Sequence, residues 1–358
     1  VTADLSALLT PADAEAAAGA VLPPGVERFV NGGSGDELTL RANRAAFDRI
    51  HITPRALVDV SRTGTQTRLL GRPAAMPVAV APMAYQRAVH PGGELATARA
   101  AREHGIPFTA TTFSSVPIEE IAAVGAETWF QLYWLRDRAR TKDLLQRAEA
   151  AGCTALMLTV DTPRMARRRA DLRSGFTLPP GVTAAHFTAD PARHAGPGAS
   201  AVAEHASAAI DPSLSWQDLD WLREHTALPL ILKGLLHPAD AGRALRAGAQ
   251  AIVVSNHGGR QLDGAPPAID ALPAIAEATA GRGELLLDSG VRTGTDVLKA
   301  LTRGATGVLL GRPALWGLAL AGAEGVSRIL GLLREELTEA LALSGHPTPT
   351  AARCPDDH

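Results

Sequence analysis

The strongest constraint in this sequence is a beat that begins at Pro77 and recurs eight times: a short apolar run, a polar break, then an amphipathic helical pattern. Strands are expected at 78–81, 107–110, 128–132, 155–160, 230–233, 251–255, 285–288 and 307–310. Helical patterns follow at 93–104, 117–123, 139–151, 216–225, 238–247, 268–280, 294–302 and from 313 onward. Several stop at a glycine, as in His104-Gly105, Ala151-Gly152 and Ala247-Gly248, the cap that leads a helix into the next strand. Eight such units in a row predict an α/β chain closed into a (β/α)8 TIM barrel. An open doubly wound sheet is the alternative.

One barrel accommodates all 358 residues as a single domain. Residues 1–70 are expected as an amino-terminal helical cap, with helices near 12–20 and 37–49 flanking Gly32-Gly33-Ser34-Gly35. The beat is broken once, at 162–215, a stretch rich in Gly, Pro, Ala, His and Arg. Following the fourth barrel strand, it is expected as a lid loop over the catalytic face, or else as a disordered insertion. The tail, 345–358, is expected to fray.

Composition narrows the function. Thirty-five Lys and Arg against 37 Asp and Glu leave a net charge of −2, with no global attraction for nucleic acid or an anionic membrane. Two cysteines suit neither a disulfide scaffold nor a cysteine-rich metal site, and no zinc-type spacing of His and Cys occurs, so no metal is expected. No apolar run approaches the roughly 20 residues of a membrane span, and the first 20 residues lack signal-peptide character. A cytoplasmic protein is expected.

If the barrel is right, chemistry belongs at the carboxyl ends of its strands. Those ends carry Ala81-Pro82-Met83-Ala84, Thr111-Thr112, Gln131-Leu132-Tyr133, Thr159 with Asp161, Lys233-Gly234, the loop Ser255-Asn256-His257-Gly258-Gly259-Arg260-Gln261-Leu262-Asp263, Asp288-Ser289-Gly290 and Gly311-Arg312. Lys233 and Asp288 directly terminate apolar runs, where an unpartnered charge would be costly. Two closing strands that each end in Gly and Arg, at Gly290-Val291-Arg292 and Gly311-Arg312, and then enter helices predict a phosphate site. Of Arg164, Arg167, Arg168 and Arg169, at least two should face solvent. One could join Arg260 in holding a carboxylate, with His257 beside the adjacent carbon. A polar turn with an incidental His and Arg is the alternative for that loop.

The loop 255–263 resembles the signature of the FMN-dependent α-hydroxy acid oxidases and dehydrogenases, which include glycolate oxidase, lactate oxidase and mandelate dehydrogenase. The likeness runs from about Glu27 to Gly322, through Thr159-Val160-Asp161-Thr162-Pro163 and the strand ends above, in the family's order. The resemblance implies FMN as cofactor and His257 as catalytic base, with Asp161 orienting it and Tyr133 hydrogen-bonding the substrate. It implies Arg168 and Arg260 as clamps on the substrate carboxylate. Lys233 would stand at the flavin N1–O2 edge and favour the anionic reduced form. Ala81, Pro82, Thr111, Gln131, Thr159 and Ser255 would contact the isoalloxazine or ribityl; Asp288, Gly290, Arg292, Gly311 and Arg312 would hold ribityl and phosphate. Family members are often tetramers, which implies a homo-oligomer.

Two departures bear on substrate. Phe29 stands where the family usually has a carboxylate-binding Tyr, and Phe113 where glycolate oxidases often have Trp. With Met83 they suggest an apolar pocket suited to an aryl hydroxy acid. The expectation is oxidation of (S)-mandelate or 4-hydroxymandelate to the 2-oxo acid, with O2 taking the electrons to give H2O2. A lactate- or glycolate-type oxidase, a quinone-linked dehydrogenase, and a flavin- or phosphate-binding barrel without turnover are the alternatives.

Overall fold

In a computed structural model of the protein, residues 4–174, 176–187 and 200–353 are described. A hairpin, β1 (Thr67–Leu69) and β2 (Arg72–Ala74), precedes eight parallel strands: β3 (Val78–Val80), β4 (Phe108–Thr111), β5 (Thr128–Leu132), β6 (Ala155–Thr159), β7 (Leu230–Leu235), β8 (Ala251–Val254), β9 (Glu284–Leu287) and β10 (Gly307–Leu310). They form a closed barrel because β10 pairs with β3, Val308 opposite Val78 through Leu310 opposite Val80. That pairing excludes the open sheet. All eight expected strands are present, displaced by at most two residues at either end.

Burial on both faces explains why these strands read as continuous apolar runs rather than alternating ones. Ala79, Trp129, Met157, Ile231, Val253, Leu286 and Leu309 point inward and fill the barrel, whereas Val80, Phe130, Leu156, Leu232, Ile252 and Leu287 point outward into the layer of helices. Leu69 and Ala74 of the hairpin join the inward set and plug the amino-terminal end. The barrel therefore opens only at its carboxyl ends.

Three of the expectations need correction. Within 1–70, helices Pro11–Val21, Pro24–Asn31 and Leu38–Asp48 are present, but from residue 51 the chain is irregular and then forms the β1–β2 plug at the far end of the barrel. The interval 162–215 is not loop throughout: Phe176, Leu178, Val182, Val202, Ala206 and Ile210 are buried, and Arg169–Ser174 and Ala201–Ala209 are helices. Its residues 175 and 188–199 lie outside the described residues. The tail does not simply fray, since Pro349–Arg353 is a helix with Pro349 and Ala352 buried, and Gly64 N–H donates to Pro347 O at 3.0 Å. Residues 354–358 lie outside the described residues.

Helix Arg312–Leu343 is apolar and long enough to cross a membrane by length and composition alone, yet 61% of its most apolar window is buried within the fold. It is two helices joined at a kink, where Ala321 and Gly322 leave helical geometry.

Candidate active site

The loop after β8 is a chain of backbone commitments. His257 has φ 61°, a conformation that costs a non-glycine residue on the order of 1–3 kcal/mol and needs support from its surroundings. Two hydroxyls supply it. Ser255 Oγ accepts from His257 N at 3.0 Å, and Ser289 Oγ accepts from Asn256 N at 3.1 Å and Gly258 N at 2.9 Å. Asn256 exchanges amide hydrogen bonds with Asn43 of the cap at 2.7 and 2.9 Å. Gly259 has φ 74°, and a Cβ there would lie 2.6 Å from Leu40 Cα, so only glycine lets the cap dock. Asp263 accepts from the N–H groups of Thr39 and Asp36 at 2.9 and 2.8 Å.

This scaffold aims His257 at Asp161. His257 Nδ1 lies 2.9 Å from Asp161 Oδ1; a carboxylate only accepts, so Nδ1 carries the proton and Nε2 is left with a lone pair. Burial alone would raise the Asp161 carboxyl, but His257, Lys233 and the Thr162 hydroxyl outweigh it and hold Asp161 below its ordinary value. His257 is lowered in turn: loss of solvent disfavours the imidazolium more than Asp161 favours it. The pair is thus a neutral imidazole backed by a carboxylate. Gln261 Nε2 donates to Asp161 O at 2.9 Å and to Arg164 O at 3.1 Å, tying the start of the long loop to the His257 loop.

A second buried pair stands beside the first, at the ends of β7 and β9. Lys233 Nζ lies 3.0 Å from Asp288 Oδ2 and donates to Ser255 Oγ at 3.1 Å. Burial pulls the ammonium down, but Asp288 and Asp161 more than compensate and leave its pKa raised. Lys233 is therefore a fixed cation at the floor of the mouth.

The cleft above these pairs encloses about 1210 Å³, including solvent at its mouth. Phe29, Met83, Phe113, Tyr133, Arg168, His257 and Arg260 line it, as do Ala81, Pro82, Thr111, Gln131, Thr159, Lys233, Asp288, Gly290, Arg292, Gly311 and Arg312. Of the residues expected at the site, only Asp161 and Ser255 stand behind the wall, each bonded to a group that faces the cleft. Of the four arginines, only Arg168 turns inward; Arg164, Arg167 and Arg169 are exposed.

The cations define what the cleft can hold. Burial and then repulsion, from Arg312 and Arg44 on Arg292 and from Arg168 on Arg312, push Arg292 down to about 9 and Arg312 to about 10, and Arg260 is lowered well below its ordinary value by burial, Arg168 and Arg312. The hydrogen bonds of Arg260 and Arg312 go to the carbonyls of Val30 and Gly32, and Arg312 also reaches Gly258 O. Arg168 Nε is buried without a hydrogen-bond partner. So much buried positive charge resting on carbonyls fits two anions, a phosphate by Arg292 and Arg312 and a carboxylate by Arg168 and Arg260. The helix that begins at Arg312 turns its amino terminus to the same place.

Several residues that build the site were not legible as such in the sequence. Tyr85 lies four residues beyond Ala81, past the strand end proper. Val202 and Ala206 sit one helical turn apart in an alanine-rich segment that reads as a loop. Gly32, assigned no role, supplies a carbonyl to both Arg260 and Arg312. Only the i, i+4 spacing of Val202 and Ala206 could have pointed to an inward face.

Fold and cleft define a class: a barrel that takes a phosphate-bearing cofactor at its carboxyl-end mouth, beside a histidine–carboxylate pair and a carboxylate clamp. The chain belongs to the FMN-dependent dehydrogenase family, whose model matches residues 18–353. Its cofactor is FMN. The chain is 53% identical to 4-hydroxymandelate oxidase of Amycolatopsis orientalis over 343 residues, 96% of each chain. It is 49% identical to L-lactate oxidase of a Nostoc species over 320 residues, 87% of this chain and 88% of that one. A crystal structure of mandelate oxidase with (S)-4-hydroxymandelic acid superimposes with a TM-score of 0.95 at 52% identity, covering 97% of this chain and 98% of the other.

Proposed function

We propose that this enzyme oxidises an aryl (S)-2-hydroxy acid, mandelate or 4-hydroxymandelate, to the corresponding 2-oxo acid, with O2 reduced to H2O2. The observation that carries the reading is the composition of the cleft: it is lined both by an apolar, aromatic set, Phe113, Met83, Val202 and Ala206, and by a polar set, His257, Arg168 and Arg260. A flat ring fits the first and a carboxylate the second. Phe29 in the same cleft offers no hydroxyl to the carboxylate; its ring stacks on Phe176 with centroids 4.8 Å apart and lies 5.4 Å under the Arg260 guanidinium.

In this reading Arg168 and Arg260 fix the carboxylate, and Tyr133 hydrogen-bonds the substrate. Nε2 of His257 accepts a proton from the CH–OH centre, and Asp161 stabilises the resulting imidazolium across Nδ1. FMN supplies the electron acceptor that the side chains lack. Arg292 and Arg312, with the backbone at Gly290 and Gly311, would hold its phosphate. Lys233, with Asp288 and Ser255, would contact its ring system together with Ala81, Pro82, Thr111, Gln131 and Thr159. Two electrons and two protons leave the CH–OH centre and reduce O2, so hydroxy acid plus O2 gives oxo acid plus H2O2.

The rival is a lactate-type oxidase, which the Nostoc relative favours by name. Anaerobic (S)-mandelate and (S)-4-hydroxymandelate are expected to bleach the flavin absorbance faster than (S)-lactate or glycolate. Bleaching by lactate alone would overturn the aryl assignment. Admitting air should restore the yellow colour rapidly; slow recovery would indicate a dehydrogenase.

Gly234 positions the carboxylate behind the base. It sits at the irregularity of β7 with φ 110°, and a Cβ there would lie 2.6 Å from both Cβ and Cγ of Asp161. Gly234→Ala should therefore push Asp161 off His257 Nδ1 and slow flavin reduction by about 10- to 100-fold, in line with the cost of ångström-scale misplacement. Weakening the Asp161 contact removes what raises His257, so the acid limb of the pH profile should move to lower pH. A normal rate and an unmoved limb would show that Asp161 tolerates the displacement.

A further inference from the structure

We propose that Gln261 is a positioning residue for the substrate carboxylate: its side-chain amide holds the strap 161–168 so that Met165 and Arg168 face the cleft. The inference rests on the reading of Arg168 as a carboxylate clamp and deepens it. Residues 161–168 follow β6, precede helix Arg169–Ser174, and form neither helix nor strand. Yet Asp161, which backs the base, stands at one end and Arg168 at the other, with Met165 and Arg168 lining the cleft. Arg168 Nε is buried with no hydrogen-bond partner among the described residues, so its aim depends on the backbone that carries it. A stretch without a ladder of its own must send its buried backbone groups elsewhere. Three of them end on one side chain.

Gln261 is buried; its Nε2 donates to Asp161 O at 2.9 Å and to Arg164 O at 3.1 Å, and its Oε1 accepts from Ala166 N at 3.2 Å. Two carbonyls need both amide hydrogens and the N–H needs the amide oxygen, so one orientation of the amide serves all three. The contacts at Arg164 and Ala166 bracket Met165 as an adjoining strand would, and Arg168 lies two residues beyond. His257 and Arg260 belong to the same loop as Gln261, so this side chain sets the second clamp in register with the base and the first clamp. The two ends of the strap differ in what else holds them. At the Asp161 end, Val160 N–H donates to Lys233 O at 2.9 Å, and the Asp161 carboxylate accepts from Thr162 Oγ1 at 3.1 Å and His257 Nδ1 at 2.9 Å. Toward Arg168 the strap leans on Gly35 N–H donating to Arg167 O at 3.1 Å and on an ion pair of Arg169 with Asp36, whose exposed side chains contribute little. Losing the Gln261 amide should therefore loosen the clamp more than the base.

The test is a double-mutant cycle on the FMN-loaded enzyme, with benzoylformate affinity read from flavin difference spectra. Gln261→Met keeps the length of the side chain and removes all three hydrogen bonds. It should weaken benzoylformate about tenfold when Arg168 is present and less than about twofold beside Arg168→Met, within the coupling range of residues that act as a unit. At saturating (S)-mandelate the rate of flavin reduction should fall less than the affinity does, a split that a general loss of stability would not produce. Gln261→Glu, which keeps an acceptor for Ala166 N but turns an oxygen on the two carbonyls, carries the cycle if the Met variant does not hold FMN. Loss of FMN from both variants would show that Gln261 serves the fold rather than the clamp. Equal losses with and without Arg168, or no loss at all, overturn the role of Gln261 alone. An Arg168→Met enzyme that binds benzoylformate as tightly as the wild type overturns the clamp reading and this inference with it.

Discussion

Replacing His257 by Gln is expected to lower the rate of anaerobic flavin reduction by about 10²–10⁴-fold while FMN stays bound, the usual worth of a positioned general base. The expectation follows from the backbone as much as from the ring. His257 is held in a left-handed conformation by Ser255 and Ser289, its Nδ1 is committed to Asp161 at 2.9 Å, and its remaining nitrogen faces the cleft. The residues proposed to hold FMN lie elsewhere on the wall, so cofactor content should hold. The pH dependence has a definite sign. A base must be neutral to accept a proton, so kcat/KM should rise with pH through the His257 pKa and then level off. Burial depresses that pKa beyond what Asp161 restores, which sets the limb below the ordinary histidine value of about 6.5. Stopped-flow reduction across pH measures both. A His257→Gln enzyme reduced at the wild-type rate would remove His257 from the mechanism.

The barrel was legible because its evidence is local. An apolar run of four to six residues, a glycine cap and an amphipathic helix each write their pattern into adjacent positions, and eight repetitions reinforce one another. The strand ends were legible for the same reason: once β7 and β9 are placed, Lys233 and Asp288 must face the mouth, and they meet at 3.0 Å. What stayed hidden depends on distant partners. The β1–β2 plug is two strands of three residues with little periodicity, stabilised by inserting Leu69 into the barrel end. The helix around His205 is alanine-rich and set in a Gly- and Pro-rich interval, so its inward face emerges only against Phe113 and Phe187. Gly32 contributes a carbonyl, which no side-chain pattern can announce. The tail packs because the backbone of residues 55–64 supplies its hydrogen bonds, from Arg55 N to Ser344 O and from Gly64 N to Pro347 O.

Arg260→Leu should separate substrate binding from the architecture of the cap. Truncating one member of a buried charge pair costs about 2–4 kcal/mol, so kcat/KM for the hydroxy acid should fall by roughly 30- to 1000-fold. Stability should not fall with it. Arg260 shares the Val30 and Gly32 carbonyls with Arg312, whose Nε and Nη2 reach them at 3.0 Å each, so the cap keeps donors at both positions. Arg260 is also a buried cation lowered by Arg168 and Arg312, and replacing it with an apolar side chain relieves that repulsion. The melting temperature of Arg260→Leu should therefore match or exceed that of the wild type, with FMN retained. Arg312→Leu makes the contrast, because it removes the proposed phosphate ligand and three carbonyl contacts together and should lose both FMN and thermal stability. Steady-state kinetics, flavin content and melting curves on the two variants decide the matter: an Arg260→Leu protein that binds substrate normally, or that melts early and sheds FMN, would show that Arg260 serves the cap rather than the substrate carboxylate.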